Sequence, residues 1–291
     1  MKYYSLILLI LLSCSSSSNE LLNDSEYQKF GERLIYLIKN RKTDKLEDSF
    51  YPKRTFKSLE DTINSLGLKD RAEIARWEKF RSEHLNTFDN YMRRLSQMVD
   101  DSTFIEVSRF YVKNETAHLV VSVVSKNQFE ISDFELLTQG DNIYISNIES
   151  YNTGINFGQA FIFNSINKLE YGWMGGEYMD ALDQLKNAHV YLQRGQPDRA
   201  WIAFNRIPDY FAYQSNFQVI KNSIAYQLSD SLYEKTLFDW IGNNWDNKGF
   251  RYLKGYTYYS YFGDSVQSKL YLDSLTEQSG SDQIKEILKT N

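Results

Sequence analysis

Residues 191–208 read YLQRGQPDRAWIAFNRIP, and this stretch decides the architecture of the C-terminal half. Its landmarks return at a fixed spacing of 34 residues: Gly195, Ser229 and Gly263 lie one period apart, as do Phe204, Phe238 and Leu272, and Ile207, Ile241 and Leu275. A period of this length marks stacked helical hairpins, each burying an apolar face against the next. It predicts hairpins over Tyr178–Arg194 with Pro197–Ile207, Ser215–Leu228 with Ser231–Ile241, and Lys248–Phe262 with Asp264–Leu275. Asp282–Lys289 then reads as a polar terminal cap. Such a stack offers an extended surface to another chain and brings no reactive group of its own.

Tyr191, Gly195, Ala200, Phe204 and Pro208 reproduce much of one known repeat pattern, so residues 178–291 resemble tetratricopeptide (TPR) repeats. The second unit departs from it, with Ser229 for the glycine and Glu234 for a small residue. The third keeps Gly263, with Ser268 as the small residue and Leu272 for the aromatic. The resemblance implies a partner groove lined by the first helix of each hairpin. Leu185, His189 and Gln193 would line it first, then Val219, Ser223, Tyr226 and Gln227, then Leu253, Thr257 and Tyr261. That lining is nearly uncharged. It suits a protein or peptide segment held by burial, with Tyr261 as the expected anchor.

Upstream, apolar residues at Tyr27, Phe30, Leu34, Leu37 and Ile38 recur at helical spacing behind a cap at Asp24-Ser25. Pro52 marks a loop, and Ser58-Leu59-Glu60-Asp61 reads as a capping box for a short helix ending at Gly67. A long helix is expected from Asp70 to Val99, with Trp77, Phe80, His84, Phe88, Tyr91, Leu95 and Met98 as one stripe. The period then changes to alternation, predicting strands near Thr103–Val112, Thr116–Ser125, Gln128–Leu137 and Asn142–Glu149. Turns at Asn114, Lys126-Asn127 and Gly140-Asp141 are short enough to make neighbours antiparallel.

The fold class that follows is an α+β N-terminal domain with a four-stranded antiparallel sheet, then an all-α repeat domain. The expected divisions are 24–155 for the first, 156–177 for a connecting helix or linker, broken near Gly172–Gly176, and 178–291 for the second. Helices followed by such a sheet resemble the NTF2-like domains in element order. That resemblance implies a space between sheet and long helix, where Tyr91, Tyr111, His118 and Tyr144 either line a ligand cavity or fill a core.

At the N-terminus, Met1-Lys2 precedes an apolar run from Leu6 to Leu12, then Ser13 and Cys14. The run is too short to span a bilayer and has the build of an export signal. Leu11-Leu12-Ser13-Cys14 resembles the lipobox of bacterial lipoproteins. By that resemblance residues 1–13 are a signal peptide, Cys14 carries the acyl chains (palmitate among them), and 14–23 form a tether to the membrane. The implied location is a Gram-negative envelope, most naturally the outer membrane, on its periplasmic or surface side. Asp61-Thr62-Ile63, Asp101-Ser102-Thr103, Asp230-Ser231-Leu232, Asp264-Ser265-Val266 and Asp273-Ser274-Leu275 are similar to the O-glycosylation sequon of Bacteroidota, although Asp and Ser also start helices.

Composition closes off several chemistries. Cys14 is the sole cysteine, which removes structural disulfides and thiolate metal sites together, and the acylation that the lipobox resemblance implies removes a free nucleophilic thiol as well. A net charge of −5 argues against a general nucleic-acid binder. The three histidines, His84, His118 and His189, fall in no metal-binding or catalytic motif. Asn244–Gly249 looks like a calcium loop only superficially, since Lys248 sits where an oxygen ligand is needed, and it reads as a turn. No cofactor or metal is expected. The expected function is a non-enzymatic, lipid-anchored interaction protein. The alternative is a small-ligand binder or enzyme using the α+β domain, since paired carboxylates need no local motif.

Overall fold

A computed structural model describes residues 22–42, 45–46, 48–51, 53–65, 71–125, 128–171 and 176–290. The leader, Cys14 and most of the tether lie outside these residues, as do Pro52, Gly67, the Lys126-Asn127 turn and positions 172–175 of the expected break. Helices α1 (Asp24–Lys39), α2 (Lys53–Ser65) and α3 (Arg71–Gln97) precede four strands. These are β1 (Phe104–Lys113), β2 (Thr116–Val124), β3 (Phe129–Gln139) and β4 (Asn142–Ser150), paired antiparallel in chain order. Helix α4 (Phe157–Tyr171) leads to α5 (Glu177–Gln193), α6 (Pro197–Phe204) and a short α7 (Asp209–Ala212). The chain continues as α8 (Ser215–Leu228), α9 (Asp230–Asn243), α10 (Lys248–Tyr261), α11 (Ser265–Ser279) and α12 (Asp282–Thr290). The coarse architecture is therefore an α+β region followed by an all-helical one. None of the described helices is long and apolar enough to cross a membrane.

Two local expectations shift. Asn23, one residue before the expected cap, starts α1: its side chain accepts from Glu26 N–H and the Glu26 carboxylate accepts from Asn23 N–H, a reciprocal pair that satisfies two orphan donors. Helix α2 begins at Lys53, so Ser58 is interior to it and caps nothing. Its carbonyl accepts instead from the Thr62 hydroxyl one turn on, at 2.7 Å.

The sheet is buried on both faces. Leu119, Val121 and Val123 of β2 point to α1 and α3, where they join Tyr27, Leu34 and Ile38, and Phe88, Met92 and Leu95. The intervening Val120 and Val124 face the other way, with Ile131 and Tyr151. They are covered by Leu253 of α10, Leu275 of α11 and Ile284 of α12. The third hairpin thus uses the sheet as its partner layer, and each large aliphatic side chain buried there stabilises by about 1.5–3 kcal/mol. Polar contacts reinforce the seam. Arg109 Nη1 donates to the carbonyls of Glu277 and Gln278 at the C-terminal end of α11, both at 3.0 Å, and Ser281 Oγ donates to Glu106 Oε1 at 2.6 Å. The connecting helix α4 packs back on the first region, where Phe161 meets Leu59, Phe56 and Ile63 of α2.

The long-helix stripe is core from His84 to Met98, while the side chains of Trp77 and Phe80 are outside the described residues. His84 is buried as expected of a core imidazole, but it is not a satisfied one. Neither ring nitrogen has a hydrogen-bond partner among the described residues; Phe50, Phe56 and Phe161 surround the ring, and burial pushes its pKa down to about 4.

Candidate functional site

The proposed groove residues do not form one continuous lining. Leu185 is half-buried against the core of the first hairpin, while His189 and Gln193 are exposed and bonded to each other at 2.9 Å. Val219 packs against the cluster of α8 and α9, Ser223 Oγ donates to the Val219 carbonyl at 2.9 Å, and Gln227 is exposed. Leu253 is withdrawn entirely: it is 4% exposed in the seam between α10 and the sheet, so it lines no open surface. The TPR resemblance implies a place for it beside Thr257 and Tyr261 in the groove, and the docked sheet claims that turn of α10 instead. Thr257 is half-buried and spends its hydroxyl on the Leu253 carbonyl at 2.9 Å.

What the fold does bring together is aromatic. Tyr226 ends α8, Tyr233 opens α9 and Tyr261 ends α10, so three elements meet at one corner. Their rings contact one another edge-on, with centroids 5.3 Å apart for Tyr226–Tyr233 and Tyr233–Tyr261 and 5.6 Å for Tyr226–Tyr261. The chain of rings runs on through Phe262, Tyr258 and Phe238 at 4.7–5.0 Å. Tyr226, Phe238, Tyr261 and Phe262 are 55%, 49%, 43% and 40% exposed, leaving a broad aromatic surface in water. Two phenols are anchored: Tyr261 donates to Asp230 Oδ1 at 2.7 Å and Tyr258 to Glu234 Oε1 at 2.6 Å. Each hydrogen bond holds its phenol protonated, raising its pKa to about 12.

Ring packing restricts the rotamers of these side chains. Phe238, Tyr233 and Phe262 lie outside the expected lining. Phe238 had a signal, since it holds the periodic position that Phe204 fills in the first hairpin. Phe204 is buried, whereas Phe238 faces outward.

A second cluster sits on the outer face of the sheet. Tyr111 and His118 are paired across β1 and β2, with their rings stacked at 4.7 Å, and Asp133 and Glu149 are paired across β3 and β4. Asp133 accepts from Tyr111, from His118 Nδ1 at 3.0 Å and from Tyr151 at 3.4 Å. Burial, then repulsion from Asp133, lifts Glu149 to about 7. Tyr91 is on the opposite face, bonded to Ser132 and Glu130, and Tyr144 lies against Tyr51 at 5.2 Å. Tyr91, Tyr111, His118 and Tyr144 therefore do not surround a single cavity between sheet and long helix. Asn247, in the loop with superficial calcium-site resemblance, caps α10 by accepting from Phe250 N–H at 2.7 Å. Among the described residues no three metal-ligating side chains converge.

Comparison with protein-family models, curated proteins and solved structures finds no match to this chain.

Proposed function

We propose that this chain is a lipid-anchored interaction protein of a Gram-negative envelope, held by Cys14, whose TPR-like helical region binds a segment of a partner protein. The observation that carries the reading is the aromatic surface joining α8, α9 and α10, with Tyr226 and Tyr261 about half exposed and already packed on each other. Exposed contiguous aromatic area of this kind suits a partner bound by burial, with Tyr as the dominant contact. The period of 34 residues and the packing of α5 on α6, α8 on α9 and α10 on α11 support the TPR-like description. The occupant is an aromatic or aliphatic peptide segment, bound with weak dependence on salt.

The test is affinity capture from crosslinked envelopes with the anchored protein and with Tyr226→Ala/Tyr261→Ala. The double variant should weaken partner binding at least about tenfold. Because the rings also contact each other between helices, the melting temperature is recorded in parallel. A folded variant that keeps its partner at full affinity removes this surface from consideration. Cys14→Ser, which should release the protein from the membrane fraction, tests the anchor separately.

One observation favours the alternative, a ligand-binding or enzymatic use of the α+β region: the convergence of Tyr111, His118 and Tyr151 on Asp133 beside Glu149. It weighs less, because Asp133 is buried and already accepts from three donors, which is what a structural carboxylate does.

A further inference from the structure

The first hairpin carries a cleft that neither the periodic pattern nor the aromatic surface accounts for. It lies between α5 and α6 and has a volume of about 270 Å³. Gln184, Asn187 and Tyr191 form the α5 wall, while Arg199 of α6 and Arg206, just past its end, stand on the other. Ile202 and Ala203 lie between the two arginines and make the apolar part of the lining. On α5 these positions flank the buried stripe of Ala181 and Ala188 on one side, and His189 and Gln193 flank it on the other. The cleft is therefore distinct from the expected groove and does not depend on it.

Its chemistry is one-sided. No Asp or Glu lines it, and neither Arg199 nor Arg206 has a carboxylate within ion-pair distance among the described residues. Arg199 donates to Gln196 Oε1 at 3.4 Å, a long bond that leaves most of its donors free. A guanidinium only donates, so each arginine presents a fork that a carboxylate matches with two parallel bonds. Arg199 sits in the first turn of α6 and Arg206 two residues past its end, so the two forks stand at opposite ends of this wall. Two carboxylates joined by a short aliphatic spacer give each fork its own partner, with the spacer over Ile202 and Ala203 and the amides of Gln184 and Asn187 beside it. The volume is just under the range for drug-sized ligands, which fits a molecule of this size or a pair of acidic side chains.

We infer that the α5/α6 cleft is a binding site for a small dicarboxylate, with Arg199 and Arg206 each holding one carboxylate. The experiment is titration calorimetry on the folded protein at low salt with glutarate, its neutral diamide, and inorganic phosphate. Glutarate should bind with a dissociation constant in the millimolar range, on the order of that of a fragment-sized ligand. The diamide should give no heat and phosphate should bind at least about tenfold more weakly. Arg199→Gln and Arg206→Gln should each reduce glutarate affinity about tenfold or more, with the circular dichroism spectrum unchanged. Lys186→Gln, which removes a cation from another face of α5, should leave it intact. Competition by a peptide carrying two glutamates, tighter than glutarate itself, assigns the carboxylates to a protein partner; weaker competition assigns them to a free small molecule. The inference is overturned if glutarate gives no signal, if phosphate equals it, or if the arginine variants bind it as the parent does.

Discussion

The first and third hairpins share one periodic pattern and bury it against different things. In the first, Ala188 of α5 meets Ala200 and Phe204 of α6, and Phe217 and Ile224 of α8 complete a core made of helices alone. In the third, Leu253 and Leu275 point away from the helical stack and onto Val120, Val124 and Ile131 of the sheet. The lesson is that a repeat pattern reports that a face is buried, not what buries it. Because the third hairpin is turned toward the sheet, Gly249, Phe250 and Leu253 of α10 are buried, whereas Tyr261 at its C-terminal end is exposed.

The largest effect expected from that difference comes from removing the sheet. We propose that residues 24–155 and 178–291 are separate folding units, and the seam makes a graded prediction about the second. A fragment spanning Gly176–Asn291 exposes Leu253, Leu275 and Ile284, each worth about 1.5–3 kcal/mol when buried. Hydrogen exchange should show α10–α12 losing protection while α5–α9 keep theirs. Uniform protection across all the helices would mean that the third hairpin does not need the sheet.

A single methyl group sharpens the contrast. Gly249, in the first turn of α10, lies so close to Tyr151 that an added Cβ would fall 2.2 Å from the ring. Tyr151 is itself 1% exposed and has nowhere to move. Gly249→Ala should therefore lower stability by about 3 kcal/mol, in the range of overpacked cores. Gly195 ends α5 with φ +68° in open space, so Gly195→Ala meets only the left-handed backbone penalty, about 1 kcal/mol. Equal losses in urea unfolding of the two variants would contradict the different surroundings of the two hairpins.

The smallest effect is read in pH. Glu149 faces the same side of the sheet as the third hairpin, and its folded pKa of about 7 stands above its ordinary 4.5. A carboxyl raised on folding favours the native state below its unfolded pKa and loses that contribution as pH rises through the folded value. Glu149→Gln should thus add about 1–3 kcal/mol at pH 8 and nothing measurable near pH 4. A stability difference that is flat with pH would show that Glu149 is solvated as freely as in the unfolded chain.

Much of the fold was legible. Alternation from Thr103 to Glu149 marked four strands whose short turns made them neighbours, and the observed pairing runs in chain order. The helix boundaries from Ser215 onward fall within a few residues of those expected from the period, since caps such as Asn247 and Asp264 act locally. The site was less legible. His84 lay on an apolar stripe and Leu253 on the face that the TPR resemblance gives to the groove, but a repeat position says only which side chains share a face. It says nothing of whether an imidazole finds a partner or which layer covers a leucine. One warning was present in Ala117–Val124: a strand with one wet face alternates, and this run from Leu119 to Val124 is nearly all apolar.

By itself the sequence determined the order and type of the elements, because helix and strand periods, turn residues and caps depend on neighbours a few positions away. The tertiary structure alone decided that the third hairpin closes on the sheet, that Tyr226, Tyr233 and Tyr261 meet, and that Arg199 and Arg206 face Gln184, Asn187 and Tyr191 of α5 across one cleft. Those contacts join residues from different helices, or from opposite ends of the chain. They are selected by the total apolar area that the packed layers remove from water, a quantity that no local spacing contains.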